Sequence, residues 1–308
     1  MPVTHTNTPA PLASTTPWQD KMQVWLPKLI LSPTIVVTLI CVYGFVIWTG
    51  LLSFTKSRFL PQFDFVGWRQ YERLLNNDRW ITACENLLIF GGLFIAICLL
   101  IGVLLAIFLD QKIQQEGMIR TIYLYPMALS FIVTGTAWKW ILNPGLGLEN
   151  LVHQMGFTDF KFDWLVNSDM AVYTLVIAAV WQSSGFVMAL FLAGLRGIDS
   201  SIINAAQIDG ASKPRIYWSI ILPCLRPVFF SAIIILSHLA IKSFDLVTAL
   251  TSGGPGYSSD LPALFMYSHS FTRGQMGLGA ASAIMMLAGI LAILVPYLYS
   301  ELRGKRNA

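Results

Sequence analysis

Charged side chains are scarce in this 308-residue chain. Each one inside an apolar run is therefore a candidate for chemistry, because an ionisable group in hydrocarbon is costly unless it has a use. His238, Lys242 and Asp245 fall at i, i+4 and i+7 of one apolar stretch. On one continuous helix they share a face. Such a row suits a proton or ion relay. It suits equally a brace in which Lys242 and Asp245 pair at i and i+3. Gln182, Ser183 and Ser184, followed by Gly185, form a polar break in another apolar stretch. The alternative there is helix packing through small residues. Hydrolytic and metal chemistry find little support. The four histidines (His5, His153, His238, His269) are dispersed, and no nucleophile–base pair stands out. Cys41, Cys84, Cys98 and Cys224 show neither metal-ligand nor CxxC spacing. The Gly- and Pro-rich run Leu250–Gly256 has no GxxxxGK[ST] pattern, so it reads as an abrupt turn rather than a phosphate cradle. Without a nucleotide-binding motif, the chain does not itself use ATP.

The elements that must position these residues are membrane helices. The chain is 55% hydrophobic and 12% charged, with a mean hydropathy of +0.63. A soluble domain is ordinarily about half apolar and about a quarter charged. The net charge of +4 requires no nucleic-acid partner. About 20 apolar residues cross roughly 30 Å of hydrocarbon. Six stretches meet or approach that length: 29–54, 87–109, 121–142, 170–195, 227–250 and 278–299. The third is the weakest, since it contains Pro126 and Lys139. The expected fold is therefore all-α, with six transmembrane helices. Residues 1–25, rich in Thr, Pro and Ser, are expected to be a disordered cytoplasmic tail, and 304–308 a second tail. The first apolar run is long enough to be a retained anchor rather than a cleaved signal.

Lys and Arg concentrate on the cytoplasmic side of a membrane protein. Arg303, Lys305 and Arg306, and the basic residues of 196–226, therefore place both ends and that loop in the cytoplasm. The loop at 143–169 is acidic and belongs outside. Residues 55–85 disagree, with Lys56, Arg58, Arg69, Arg73 and Arg79 on the side expected to be outside.

The loop 196–226 has internal order. Ser200 and Ser201 are suitable helix caps, and Gly210 suits the end of a short helix. Ser212 then caps a second helix, with Pro214 in its first turn. Ala205, Ala206, Gly210 and Ala211 leave a surface with little side chain, open to close approach by a partner. At these residues the chain resembles the coupling loop of bacterial ABC-importer permeases. Ala205, Ala206, Asp209, Gly210, Ala211, Leu222 and Pro223 match that pattern, while Asn204 replaces the usual Glu and Asp199 stands where the carbohydrate branch usually has Pro. Thr251-Ser252-Gly253-Gly254-Pro255 is similar to the signature of sugar-type permeases, and Phe63–Gly67 to their segment after the first span.

The resemblance implies a type I ABC importer permease fold and alternating access, without catalysis or a cofactor of its own. It implies partners: an ATPase homodimer that binds ATP, a second homologous permease, and a periplasmic sugar-binding protein. It implies residence in the bacterial inner membrane. Carried over by register from maltose-type permeases, the substrate path comprises Gln182, Ser183 and Phe186 in one span and Ala240, Lys242 and Ser243 in another. Ala240 stands where a polar sugar contact is expected. The pattern is most similar to permeases for glucose or a related monosaccharide. Di- and oligosaccharides and glycerol-3-phosphate are the alternatives within the class. An ion-coupled secondary transporter is the alternative outside it.

Overall fold

The computed structural model describes residues 17–111 and 113–306. Two compact units, 1–51 and 52–308, are distinguished by their internal contacts. The first holds α1 (Pro17–Thr38), a π-helical segment (Leu39–Gly44) and most of α2 (Phe45–Ser53). Helix therefore begins at Pro17, inside the stretch expected to be a tail; Pro fits a first turn, where an amide partner is not needed. Residues 1–16 lie outside the described residues.

The second unit starts with α3 (Arg69–Leu75) and α4 (Asp78–Leu109). The Asn77 side chain accepts from the Trp80 amide, which starts α4 well before the apolar run at Leu87. Next come α5 (Glu116–Leu124), a 3-10 turn (Tyr125–Ala128) and α6 (Phe131–Ile141). The short α7 (Leu148–Gln154) precedes α8 (Ala171–Arg196). The loop region holds α9 (Ser200–Ile208), α10 (Lys213–Ile216), a π segment (Tyr217–Ile221) and α11 (Leu222–Cys224). The chain ends with α12 (Arg226–Ile241), α13 (Asp245–Leu250), α14 (Pro262–Tyr267), a π segment (Ser268–Thr272) and α15 (Met276–Arg306).

Among the described residues, four helices are long and apolar enough to cross a membrane: Lys28–Ser53, Asp78–Leu109, Ala171–Arg196 and Met276–Tyr299. The count rises to six if each of two bent pairs is one span. The expected third span is one such pair, bent by 100° between Ala128 and Phe131. Pro126 cannot donate within a helix, Leu129 is extended, and the Ser130 hydroxyl accepts from the Val133 amide to start α6. The expected fifth span is not one helix over 227–250. Helix α12 stops at Ile241, and Lys242–Phe244 separate it from α13. Before α12 the chain is also bent, by 62°. At the C-terminal end, helix persists through Arg306, into the expected tail.

The core is built on α4 and α8. Phe90, Phe94, Cys98 and Ala106 of α4 are buried in one cluster with Leu175, Ala179, Met188 and Phe191 of α8. Gly102 sets their separation: a Cβ there would lie 2.5 Å from Val187. Helix α6 packs on α13 in the same way, with Gly135 against Ala249. A smaller cluster joins Leu74 and Trp80 to Phe265, Leu278 and Ala281.

Candidate functional site

The loop between α8 and α12 carries an exposed helix. Helix α9 buries none of its residues, and Ile208 is 86% exposed. Its ends are nevertheless fixed. The cap is Asp199, not Ser200 or Ser201: the carboxylate accepts from the Ser201 amide at 2.8 Å. That bond holds the Asp199 carboxyl below its ordinary range. At the other end the Gly210 amide donates to the Gln207 carbonyl, and the Ala211 amide to the Ala206 carbonyl. This is the Schellman pattern, and Gly210, at φ +77°, takes the left-handed position it needs. Ala206 and Ala211 are half-buried against the core, whereas Asn204, Ala205, Asp209 and Gly210 face outward. Ser212 starts α10 without a side-chain cap bond. Leu222 is half-buried and Pro223 exposed in α11. An ion pair between Arg196 and Glu116, at 2.7 Å, ties the end of α8 to the start of α5.

The residues of the expected substrate path have different surroundings. Gln182 is 4% exposed, and its Nε2 donates to the Leu129 carbonyl at 2.7 Å. That carbonyl sits at the break between α5 and α6. The amide therefore supplies a donor that an unbroken helix would have provided. The Gln182 Oε1 is buried without a hydrogen-bond partner. Gly185 lets the same break approach closely, since a Cβ would lie 1.8 Å from the Tyr123 carbonyl oxygen. Ser183 is buried and Phe186 half-buried. Lys242 and Ser243 line a cavity of about 100 Å³ with Phe131 and Phe244. Ala240 is buried beside Gly91 and lines a separate groove.

The expected row of His238, Lys242 and Asp245 is not a continuous helical face. His238 belongs to α12 and lines a third groove with Ile290 and Ile293. Lys242 and Asp245 border the break, are exposed, and form no ion pair with each other. Neither the relay nor the brace is assembled in this arrangement.

One constellation has no signal in sequence spacing. Arg79, near the start of α4, forms an ion pair with Asp260 through Nε. Its Nη1 donates to Ser268 at 3.1 Å, and its guanidinium lies 4.5 Å from the Tyr257 ring centre. Asn86 donates to the Asp260 backbone carbonyl at 3.0 Å. Burial pushes the Asp260 carboxyl above its ordinary value, against the pull of Arg79. These contacts anchor the Gly-rich turn after α13. Within it, the Ser259 hydroxyl lies 2.8 Å from Thr251 Oγ1 and 2.7 Å from the Gly254 carbonyl oxygen. Gly253 holds φ +84°.

Residues 99–303 match the family described as binding-protein-dependent transport system inner membrane component. The chain belongs to that family. It is a membrane-embedded transporter component, and catalysis is not its task. A probable ABC transporter permease protein of Pyrococcus horikoshii is 38% identical, over 91% of this chain and 96% of its own length. The xylose/arabinose import permease protein XacH of Haloferax volcanii is 37% identical, over 85% and 83%. Among solved structures, a bacterial alginate ABC transporter in complex with an alginate pentasaccharide-bound periplasmic protein contains a chain with a TM-score of 0.78. That likeness spans 91% of this permease and 94% of the other, at 21% identity, and it supports the type I importer fold.

Proposed function

We propose that this permease is one membrane subunit of an ATP-driven carbohydrate importer that receives its substrate from a periplasmic binding protein. The observation that carries the proposal is α9: an exposed helix, fixed at both ends by its own caps, on a loop between two core helices. A helix so built transmits a push without yielding. It docks, in this reading, in a groove of an ATPase subunit, through Asn204, Ala205, Ala206, Asp209, Gly210 and Ala211. Leu222 and Pro223 fix the return to the membrane. Closure of two such ATPases on ATP moves α9, and with it the bundle, between inward- and outward-facing forms. A second, homologous permease forms the other wall of the path, and both termini are cytoplasmic.

The substrate class is carbohydrate. The similarity to XacH supports a small sugar, and the alginate complex shows that the fold also serves an oligosaccharide system. Neither is named for glucose, so glucose stands as one hexose to test among pentoses, disaccharides and glycerol-3-phosphate. Within the path, the exposed ammonium of Lys242 is the polar group a ligand reaches first, and the buried, unpartnered Oε1 of Gln182 becomes available as the bundle moves. Ser183, Phe186, Ala240 and Ser243 are proposed as its neighbours.

The experiment is co-purification of this chain with its membrane partners, followed by ATP hydrolysis in liposomes. Candidate binding proteins are added, each with one sugar from that panel. Stimulation by one sugar–protein pair establishes the importer and its substrate. Transport driven by an ion gradient without ATP would refute the proposal.

A further inference from the structure

Three of the five basic residues that disagree with the charge-asymmetry rule converge in space, and Arg273 joins them. Lys56, Arg58, Arg73 and Arg273 line one pocket of about 220 Å³, together with Ser57, Gln70 and Leu278. No carboxylate lines it, and none of the four cations forms an ion pair. The nearby buried pair has consumed Arg79 and Asp260, so Asp260 does not neutralise the pocket. The walls are firmly built. The Gly277 amide, in the first turn of α15, donates to the Ser57 carbonyl at 2.9 Å. Buried Gln70 donates to the Thr55 carbonyl at 2.8 Å and accepts from Arg73. The Phe59 ring closes over Gly274, where a Cβ would lie 2.4 Å from the ring.

We propose that this pocket binds the phosphate group of an anionic ligand, as the headgroup of an acidic lipid or as free phosphate. Four cations around a small polar hollow attract an anion, and guanidinium forks match phosphate oxygens. The helix that begins at Met276 adds its positive end. Position favours the lipid source. Leu278 belongs to the last candidate span, and Lys56 follows closely on the end of the first at Ser53. Phe59 and Leu60, neighbours of Arg58 in the chain, are 71% and 74% exposed, and apolar side chains next to cations suit a lipid headgroup region. A lipid site also explains why this loop is basic irrespective of the side on which it lies.

The test uses the full chain, purified with its membrane partners and placed in nanodiscs of phosphatidylcholine with or without phosphatidylglycerol. Lipid retained after detergent extraction is read by native mass spectrometry. Wild type retains phosphatidylglycerol selectively. In Arg73→Gln/Arg273→Gln each lost charge lowers retention by about fivefold. Arg73→Lys/Arg273→Lys keeps most of it, which separates lost charge from lost fold. A second arm titrates inorganic phosphate into phosphatidylcholine nanodiscs; saturable binding lost in the Gln variant, without lipid selectivity, assigns the site to free phosphate. If wild type and the Gln variant behave alike in both arms, the proposal fails. It fails equally if the Gln variant loses only capture of a binding protein, because the cations then face acidic protein.

Discussion

Replacing Arg79 by Met removes one member of a buried ion pair and leaves the other. The Asp260 side chain is fully buried and that of Arg79 is 12% exposed. An exposed pair of this kind contributes about 0–1 kcal/mol. Removing one partner of a buried pair costs about 3–5 kcal/mol, because an uncompensated charge remains. Burial decides in favour of the larger figure. For a domain of comparable size, about 1 kcal/mol moves the melting midpoint by about 2–4 °C. Arg79→Met should therefore lower the midpoint by on the order of 10 °C in detergent. The cost lies in the orphaned carboxylate, so Arg79→Met/Asp260→Asn should recover most of it. Acidity provides a second reading. Burial already raises the Asp260 carboxyl, and without Arg79 nothing comparable opposes it. A raised folded-state value favours the protonated form, so the folded variant is penalised above that value and relieved below it. The gap between variant and wild type should shrink as pH falls. A midpoint within about 3 °C of wild type at neutral pH, or a gap that widens on acidification, would refute the reasoning.

Three further outcomes are expected. Gly185→Val places a side chain where the Tyr123 carbonyl oxygen stands; the variant should aggregate on extraction, as size-exclusion chromatography would show, whereas Gly289→Ala, with open space around it, should not. Gln182→Leu strips the Leu129 carbonyl of its donor and should destabilise by about 1–3 kcal/mol in thermal unfolding, with Gln182→Glu restoring the donor only as its buried carboxyl is protonated, and so improving as pH falls. Gly210→Val meets no neighbour but must hold φ +77°, at about 1–2 kcal/mol; membrane insertion should be intact and ATP-dependent uptake lost, with Gly210→Asn milder in the same uptake assay.

Local chemistry was legible in the sequence and distant pairing was not. The short helix before Gly210 could be read residue by residue, because caps and turns are decided within a few positions. Even there the cap lay at Asp199, since a carboxylate competes well with the serines that follow. The apolar runs were legible as runs, but their continuity was not. Pro126 marked the third as weak without locating the 100° bend, which depends on α8 receiving the broken end at Gly185 and Gln182. The row His238, Lys242, Asp245 assumed one helix, and the break at Lys242–Phe244 dispersed it. Arg79 and Asp260 lie 181 residues apart. No spacing rule connects them, and Arg79 counted only as one of several misplaced charges.

The bond from Gln182 to Leu129 also bears on how the chain is made. A ribosome delivers Leu129 to the membrane 53 residues ahead of its partner. Until α8 is inserted, the bend exposes a carbonyl that lipid cannot satisfy. The α5–α6 segment therefore has reason to stay at the insertion machinery or the headgroup layer until α8 arrives. The two segments should mature as a unit, and a truncation between them should be recognised by membrane proteases as unfinished.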